Sequence, residues 1–216
     1  MEAVIPGLYA SAPEALSFAP ETAIRTFLLV REAGNLLIYS SSPVADEAQS
    51  IESLGGALRH YLNHRHEAAF GCEKAANALH VPLYTHENER PSVAAKCKVA
   101  ETFSKRHKLN ADFEVIPTPG HTSGATAFLW NSGQHRFLFT GDTVYFGKQG
   151  WVAALLGSSD RKAYVESLEL IRDLDFDVLV PWAAPVGEPF HALTDKANTE
   201  RRIDAILDRL RAGEDH

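Results

Sequence analysis

The sequence holds only two cysteines, Cys72 and Cys97, and neither sits in a C-x-x-C pair. A disulfide framework and a cysteine zinc site are therefore both unexpected, and two reduced, partly buried thiols are predicted. No apolar run approaches the ~18 residues that a membrane span requires. The first twenty residues carry Glu2 and Glu14 and lack a basic stretch followed by an apolar core, so no signal peptide is expected. A basic run is missing as well, and the net charge is −7. Nucleic acid and anionic membrane are poor partners for such a surface. No linker, low-complexity tract or short repeat interrupts the chain. These absences predict a cytoplasmic protein, with homo-oligomerisation left open.

What is present is an ordinary globular composition, 45% apolar and 23% charged over 216 residues. A chain of this length buries a substantial core without staples, and one domain spanning residues 1–216 is predicted. Pro6-Gly7 marks a turn or edge strand, and residues 11–22 read as loop. Residues 23–30 and 36–39 read as a hairpin around Glu32-Ala33-Gly34-Asn35. A helix opens at Ser40-Ser41-Ser42-Pro43 and stops at Gly55-Gly56. A strand is predicted over 58–62, a helix over 72–79 and strands over 81–84 and 113–116. A second hairpin joins 125–130 to 136–140. Residues 143–159 read as a long loop rich in aromatic and small residues. Asp160 caps a helix to Leu174, with Ala163, Leu168, Ile171 and Leu174 inward. A strand over 178–180 ends at Pro181. Thr194 or Asp195 caps a last helix to Leu210, and residues 213–216 form a frayed tail. This order suits two sheets packed face to face with helices outside.

Chemistry-bearing residues gather where the predicted strands end. His64 and His66, one residue apart after the 58–62 strand, are expected to point the same way by the period of two. His121 follows Pro119-Gly120, and Asp142 follows Gly141 at a strand exit. Imidazole and carboxylate are ligands for zinc, iron or manganese. His86 reads as a loop residue. Glu67 reads as a solvated loop carboxylate that points away from His66, and nothing in the spacing of His191 requires a role. His60, His80, His107, His135 and His216 are scattered, with no role assigned.

The most specific segments are Thr118-Pro119-Gly120-His121-Thr122-Ser123-Gly124 and Phe139-Thr140-Gly141-Asp142-Thr143. With these the chain resembles the metallo-β-lactamase fold superfamily, whose hallmark segments are T-P-G-H-T-x-G and T-G-D. The resemblance implies an α/β fold, a four-layer αββα sandwich of two mixed sheets. It implies that His64, His66 and His121 match the three histidines of the family's first metal site, and that Asp142 matches the aspartate usually shared between two metals. It also exposes departures. The family's H-x-H-x-D-H reads here His64-Arg65-His66-Glu67-Ala68-Ala69, so the aspartate and last histidine are alanines. Ala183 stands where a late P-G-H-G segment usually supplies another histidine. All three losses fall on the second metal site.

The resemblance therefore implies one divalent metal, zinc foremost and iron as the alternative. With it comes a hydrolase-like, mononuclear site for a small ester, thioester, lactone or phosphoester, in which Asp142 is the catalytic carboxylate. Tyr145, Phe146, Trp151 and Trp182 are the aromatic residues expected to wall the substrate pocket. Two alternatives stay open: a mononuclear non-haem iron oxygenase acting on a sulfur substrate, and a non-catalytic ligand-binding relative.

Overall fold

A computed structural model describes residues 1–215; the notional tail residue His216 lies outside the described residues. The chain divides into two compact units, Met1–Ser104 and Lys105–His216.

The first unit is built on a seven-stranded mixed sheet. Its strands are β1 (Glu2–Ile5), β2 (Leu8–Ala10), β5 (Phe27–Leu29), β6 (Leu36–Ile38), β7 (Arg59–Tyr61), β8 (Leu83–His86) and β9 (Glu101–Phe103), in that spatial order. β1 through β6 pair antiparallel, and β6 through β9 pair parallel. The parallel half needs crossovers, which helices supply. A 3₁₀ segment (Ser42–Glu47), α1 (Ala48–Ser53) and α2 (Cys72–Leu79) bury Val44, Ala45, Ile51 and Ala75 against Leu28 and Leu37. α3 (Arg90–Ala94) has Pro91 in its first turn, where the missing N–H costs nothing. The intervening residues of β5 and β6 are also buried, as befits strands covered on both faces.

The second unit carries a six-stranded sheet ordered β10 (His107–Lys108), β11 (Phe113–Pro117), β12 (Thr126–Asn131), β13 (Arg136–Gly141), β16 (Val178–Pro181) and β18 (Ala192–Leu193). Only β13 and β16 are parallel. α4 (Arg161–Asp173) and α5 (Lys196–Arg211) cover one face, where Leu168, Ile171, Ile203, Ile206 and Leu207 pack with Ile116, Ala127, Leu138 and Leu179. α4 begins on the expected cap, Asp160, which accepts from Ala163 N, and of the two candidates for α5 it is Asp195 that caps, accepting from Asn198 N. A hairpin of β14 (Tyr145–Gly147) and β15 (Gly150–Val152) and a short strand β17 (Ala183–Pro185) complete the unit.

Several sequence expectations are corrected. Residues 11–22 are not a loop but contain β3 (Glu14–Leu16) and most of β4 (Ala19–Ile24), an antiparallel hairpin whose Pro13 and Pro20 disguise it. The strand expected over 23–30 breaks at Arg25-Thr26, where Thr26 N–H donates to Ser11 Oγ instead of a ladder. The 143–159 loop contains the β14–β15 hairpin. The buried stripe of α4 includes Tyr164 rather than Ala163. His86 ends β8 and is buried, with Nδ1 accepting from Asn88 N.

The two thiols expected to be free are joined. Cys72 at the start of α2 and Cys97 just past α3 form a disulfide across 25 residues, with Cα atoms 6.2 Å apart. The sequence separation gave no sign of this. The fold brings both side chains into one small apolar cluster with Leu62, Ala68, Leu83 and Val93. Among the described residues, no helix is long and apolar enough to cross a membrane.

His60, given no role from sequence, is wholly buried in β7. Its Nε2 donates to the Tyr39 carbonyl at 2.6 Å, and burial lowers its pKa to about 4. The unfolded chain binds a proton at His60 near pH 6.5 while the folded chain resists, so this contribution is full above pH 6.5 and is lost as pH falls toward 4. Urea titrations should show His60→Gln flattening the acid-side loss of stability by about 3 kcal/mol between pH 7 and 4. Parallel curves for both proteins would show that His60 is not the group involved.

Candidate functional site

In the first unit the chain leaves β7 through Leu62-Asn63-His64 and turns into a 3₁₀ helix, Arg65–Ala69. The histidine pair therefore does not sit on a strand. His64 is the extended N-cap residue (φ −155°, ψ 170°), and His66 lies within the turn. The two rings still approach, 4.9 Å between centroids and nearly perpendicular.

Glu67 explains how the pair is held, and it is not the solvated carboxylate expected. It is fully buried. Its Oε1 accepts from Asn63 N at 3.0 Å, His64 N at 3.2 Å and His64 Nδ1 at 3.0 Å. Asn63 Oδ1 also lies 3.0 Å from Nδ1. Both oxygens can only accept, so Nδ1 carries the proton and Nε2 carries the lone pair. The spacing was readable as a capping box, with glutamate three residues after the N-cap. A second buried carboxylate, Glu89, accepts from Arg65 N at 2.9 Å and so fixes the first residue of the same turn. Ala68 is buried in the apolar cluster described above, whereas Ala69 is exposed.

In the second unit His121 follows β11 on the Thr118-Pro119-Gly120 loop. Gly120 has φ +145°, and a Cβ there would stand 2.4 Å from the Tyr164 Cα, so the loop can lie against α4 only with glycine. His121 is 1% exposed, and its Nδ1 donates to the Ala154 carbonyl at 2.6 Å. That bond sets the same tautomer as in His64. The other nitrogen, Nε2, lies 3.6 Å from Asp142 Oδ2. Asp142 follows Gly141, whose φ of +57° turns the chain sharply out of β13.

Tyr164 of α4 ties these parts together, and nothing in the sequence pointed to it. It is wholly buried. Its hydroxyl donates to the carbonyls of Asp142 and Thr143, each at 2.8 Å, and accepts from Ala154 N at 3.0 Å. One oxygen thus fixes both the chain that bears Asp142 and Ala154, just past β15, whose carbonyl orients His121. Burial, more than the nearby Asp142 charge, pushes the phenol well above its usual pKa, so it stays a donor.

Of the expected pocket residues, Phe146 and Trp151 pair across the β14–β15 hairpin with rings stacked 6.4 Å apart, and both line a cavity of about 470 Å³. Tyr145 is half-buried at the hairpin's start; burial first, and the Asp142 charge second, raise its pKa. Trp182 is buried, 3% exposed. Ala183, in β17, is 5% exposed.

Residues 56–183 match the family model described as the metallo-beta-lactamase superfamily. The chain belongs to that superfamily. Solved metallo-β-lactamases share its fold. The enzyme from Pontibacter korlensis superposes with a TM-score of 0.71 and 16% identity, over 96% of this chain and 97% of that one. VMB-1 gives 0.73 and 15%, over 98% and 96%. At such identities the likeness establishes the fold alone, and it is the α/β fold of mixed sheets expected from the sequence. Among curated proteins, the hydroxyacylglutathione hydrolase of Pseudomonas entomophila (strain L48) is 30% identical over 83 residues, 38% of this chain and 31% of that protein. The match thus spans about a third of that relative's length.

Two substitutions test the supports described here. Glu67→Ala strands buried donors at Asn63 and His64 and should lower unfolding free energy by about 3 kcal/mol in urea titrations. Tyr164→Phe loses three hydrogen bonds at one oxygen and should cost about 2 kcal/mol by the same measurement. Losses below about 0.5 kcal/mol, the range of ordinary surface changes, would contradict the roles given to these residues.

Proposed function

We propose that this member of the metallo-β-lactamase superfamily is a hydrolase holding one divalent cation, with His64, His66, His121 and Asp142 as its ligands. Three imidazole nitrogens and a carboxylate oxygen suit zinc first and iron second. The observation that carries the reading is the commitment of Nδ1 in both buried histidines, to Glu67 in one and to the Ala154 carbonyl in the other. Histidines that ligate metal are held this way, with the second nitrogen fixed by a carboxylate or carbonyl so that ring and tautomer are set beforehand. A single ion is proposed because Ala68, Ala69 and Ala183 stand where the family's second-site ligands fall, and a methyl group has no electron pair to give.

A divalent ion in this set would supply Lewis acidity toward the scissile carbonyl or phosphoryl oxygen. Asp142 acts as the proton carrier. Its side chain is 18% exposed, open enough to meet water and substrate. It takes a proton from the water that attacks the acyl or phosphoryl centre, and passes that proton to the departing oxygen or sulfur. Tyr164, through the Asp142 carbonyl, keeps the carboxylate from drifting during this exchange. Phe146 and Trp151 wall the substrate pocket, and Tyr145 and Trp182 are proposed as its further aromatic residues. Small esters, thioesters, lactones and phosphoesters fit such a site. Thioesters come first, because the curated relative is named for hydrolysing an acyl derivative of glutathione.

Hydrolysis of a hydroxyacyl glutathione thioester tests the reading. Chelation should abolish the activity, and one equivalent of zinc should restore it. Asp142→Asn should lower kcat/KM by about 100-fold or more, in the range for loss of a general base. Activity indifferent to chelation and to Asp142→Asn would overturn the proposal. Iron in place of zinc, with oxygen uptake on a sulfur substrate, would replace it with the oxygenase reading. Absence of both metal and turnover would replace it with the ligand-binding one.

A further inference from the structure

The disulfide of the first unit stands beside the turn that carries His64 and His66. Cys72 is the first residue of α2 and comes three residues after Ala69, the last of that turn. Cys97 lies beyond α3, on the same helical face as Glu89 and Val93. The three are spaced four residues apart, and the backbone joins them. Val93 N–H donates to the Glu89 carbonyl and Cys97 N–H to the Val93 carbonyl, both at 3.0 Å. In residues 89–97 these three side chains are buried and the other six residues are exposed. A helix of five residues is too short to hold itself, so α3 depends on that one face for its place.

Each residue of the face meets the ligand turn or its continuation. Glu89 accepts from Arg65 N at 2.9 Å and pairs with the Arg65 guanidinium at 3.5 Å. Val93 packs in the same apolar cluster as Ala68 of the turn. Cys97 is bonded to Cys72. The turn is thus enclosed in a ring of chain, closed by a buried carboxylate at one end and by the disulfide at the other.

We propose that Cys72 and Cys97 form a reversible redox latch on the turn that bears His64 and His66. Oxidised, the pair holds α3 and its Glu89 against the turn. Reduced, it leaves α3 held by Val93 and Glu89 alone, and the turn loosens with it. The reductant is a small dithiol. Its thiolate attacks Cys97 Sγ, because Cys97 keeps 6% of its surface exposed and Cys72 none. Exposed Lys96 and Lys98 flank Cys97 and favour an approaching thiolate. A bond forms between the reductant sulfur and Cys97, the Cys72–Cys97 bond breaks, and its electron pair leaves on Cys72. Cys72 suits that departure, because the amides at the start of α2 stabilise an anion there. The second thiol of the reductant then displaces Cys97. Two electrons and two protons pass to the protein, which ends with two thiols, and the dithiol ends as a cyclic disulfide. Exchange with an oxidised dithiol runs the sequence backward. That the loosened turn also releases a cation rests on the one-metal reading; the latch itself does not.

The test is hydrogen exchange followed by mass spectrometry on the full chain after chelation, oxidised and then treated with dithiothreitol. Thiol titration in denaturant should find no thiol before treatment and both cysteines after it, with dithiothreitol acting at neutral pH on the folded protein. Reduction should speed exchange in a peptide spanning residues 62–70, where the Asn63, His64 and Arg65 amides are bonded to buried carboxylates, by about tenfold or more. The strand over residues 126–131 should not change, and reoxidation should restore the slow exchange. Cys97→Ala should exchange like the reduced protein and ignore dithiothreitol; if it fails to fold, the wild-type comparison still decides. Free thiols in the oxidised protein, no reduction without denaturant, or unchanged exchange over 62–70 would each overturn the latch. Acceleration through both units alike would make the bond a staple of the whole fold and overturn it too. Exchange that responds to reduction in a protein that holds no zinc when oxidised would keep the latch and remove the one-metal reading.

Discussion

A neutral imidazole has one donor nitrogen and one acceptor nitrogen, and in both His64 and His121 the donor is already spoken for. Glu67 takes it in the first case and the Ala154 carbonyl in the second. Each bond is made in a fully or almost fully buried place, where water does not compete and the acceptor would be costly to leave unmatched. The rest of the site follows from that constraint. Rings that cannot change tautomer or rotate present Nε2 in a fixed direction, which is what ligation requires.

Other features exist to keep those acceptors still. Glu67 is pinned by the Asn63 and His64 amides, and the turn it belongs to is pinned again by Glu89. The Ala154 residue is pinned by Tyr164, whose hydroxyl also grips the carbonyls of Asp142 and Thr143. Gly120 allows the His121 loop to lie against the same tyrosine. Supports of this kind are second-hand to the chemistry, yet a displacement of one ångström at a ligand is enough to disable a site. The β14–β15 hairpin extends the same segment outward, from the Asp142 turn to a cavity lined by Phe146 and Trp151.

How much of this was legible in the sequence depends on how local the signal is. Helix starts at Asp160 and Asp195 were readable because capping is settled within three residues. The 125–140 hairpin was readable because two apolar, aromatic-rich runs flank a marked turn. The ligand candidates His121 and Asp142 were readable from motif and resemblance. Short strands were not: β3 has three residues and follows Pro13, β4 contains Pro20, and β14 and β15 have three residues each. Long-range contacts were the least legible. Nothing near Tyr164 reveals that it reaches back 22 residues to Asp142, and nothing near Cys72 reveals Cys97. Glu67 lies between these cases, because its capping spacing was visible while its burial, set by how α3 and the 3₁₀ turn pack, was not.

The central claim is that two orienting hydrogen bonds prepare one metal site and that the alanines leave no second. Native mass spectrometry of the full chain, loaded with excess zinc and then desalted, measures it most directly. The account predicts one ion per chain in the wild type, and none retained in a His64→Ala, His121→Ala double variant. Two ions retained by the wild type, or one still retained by the double variant, would contradict it.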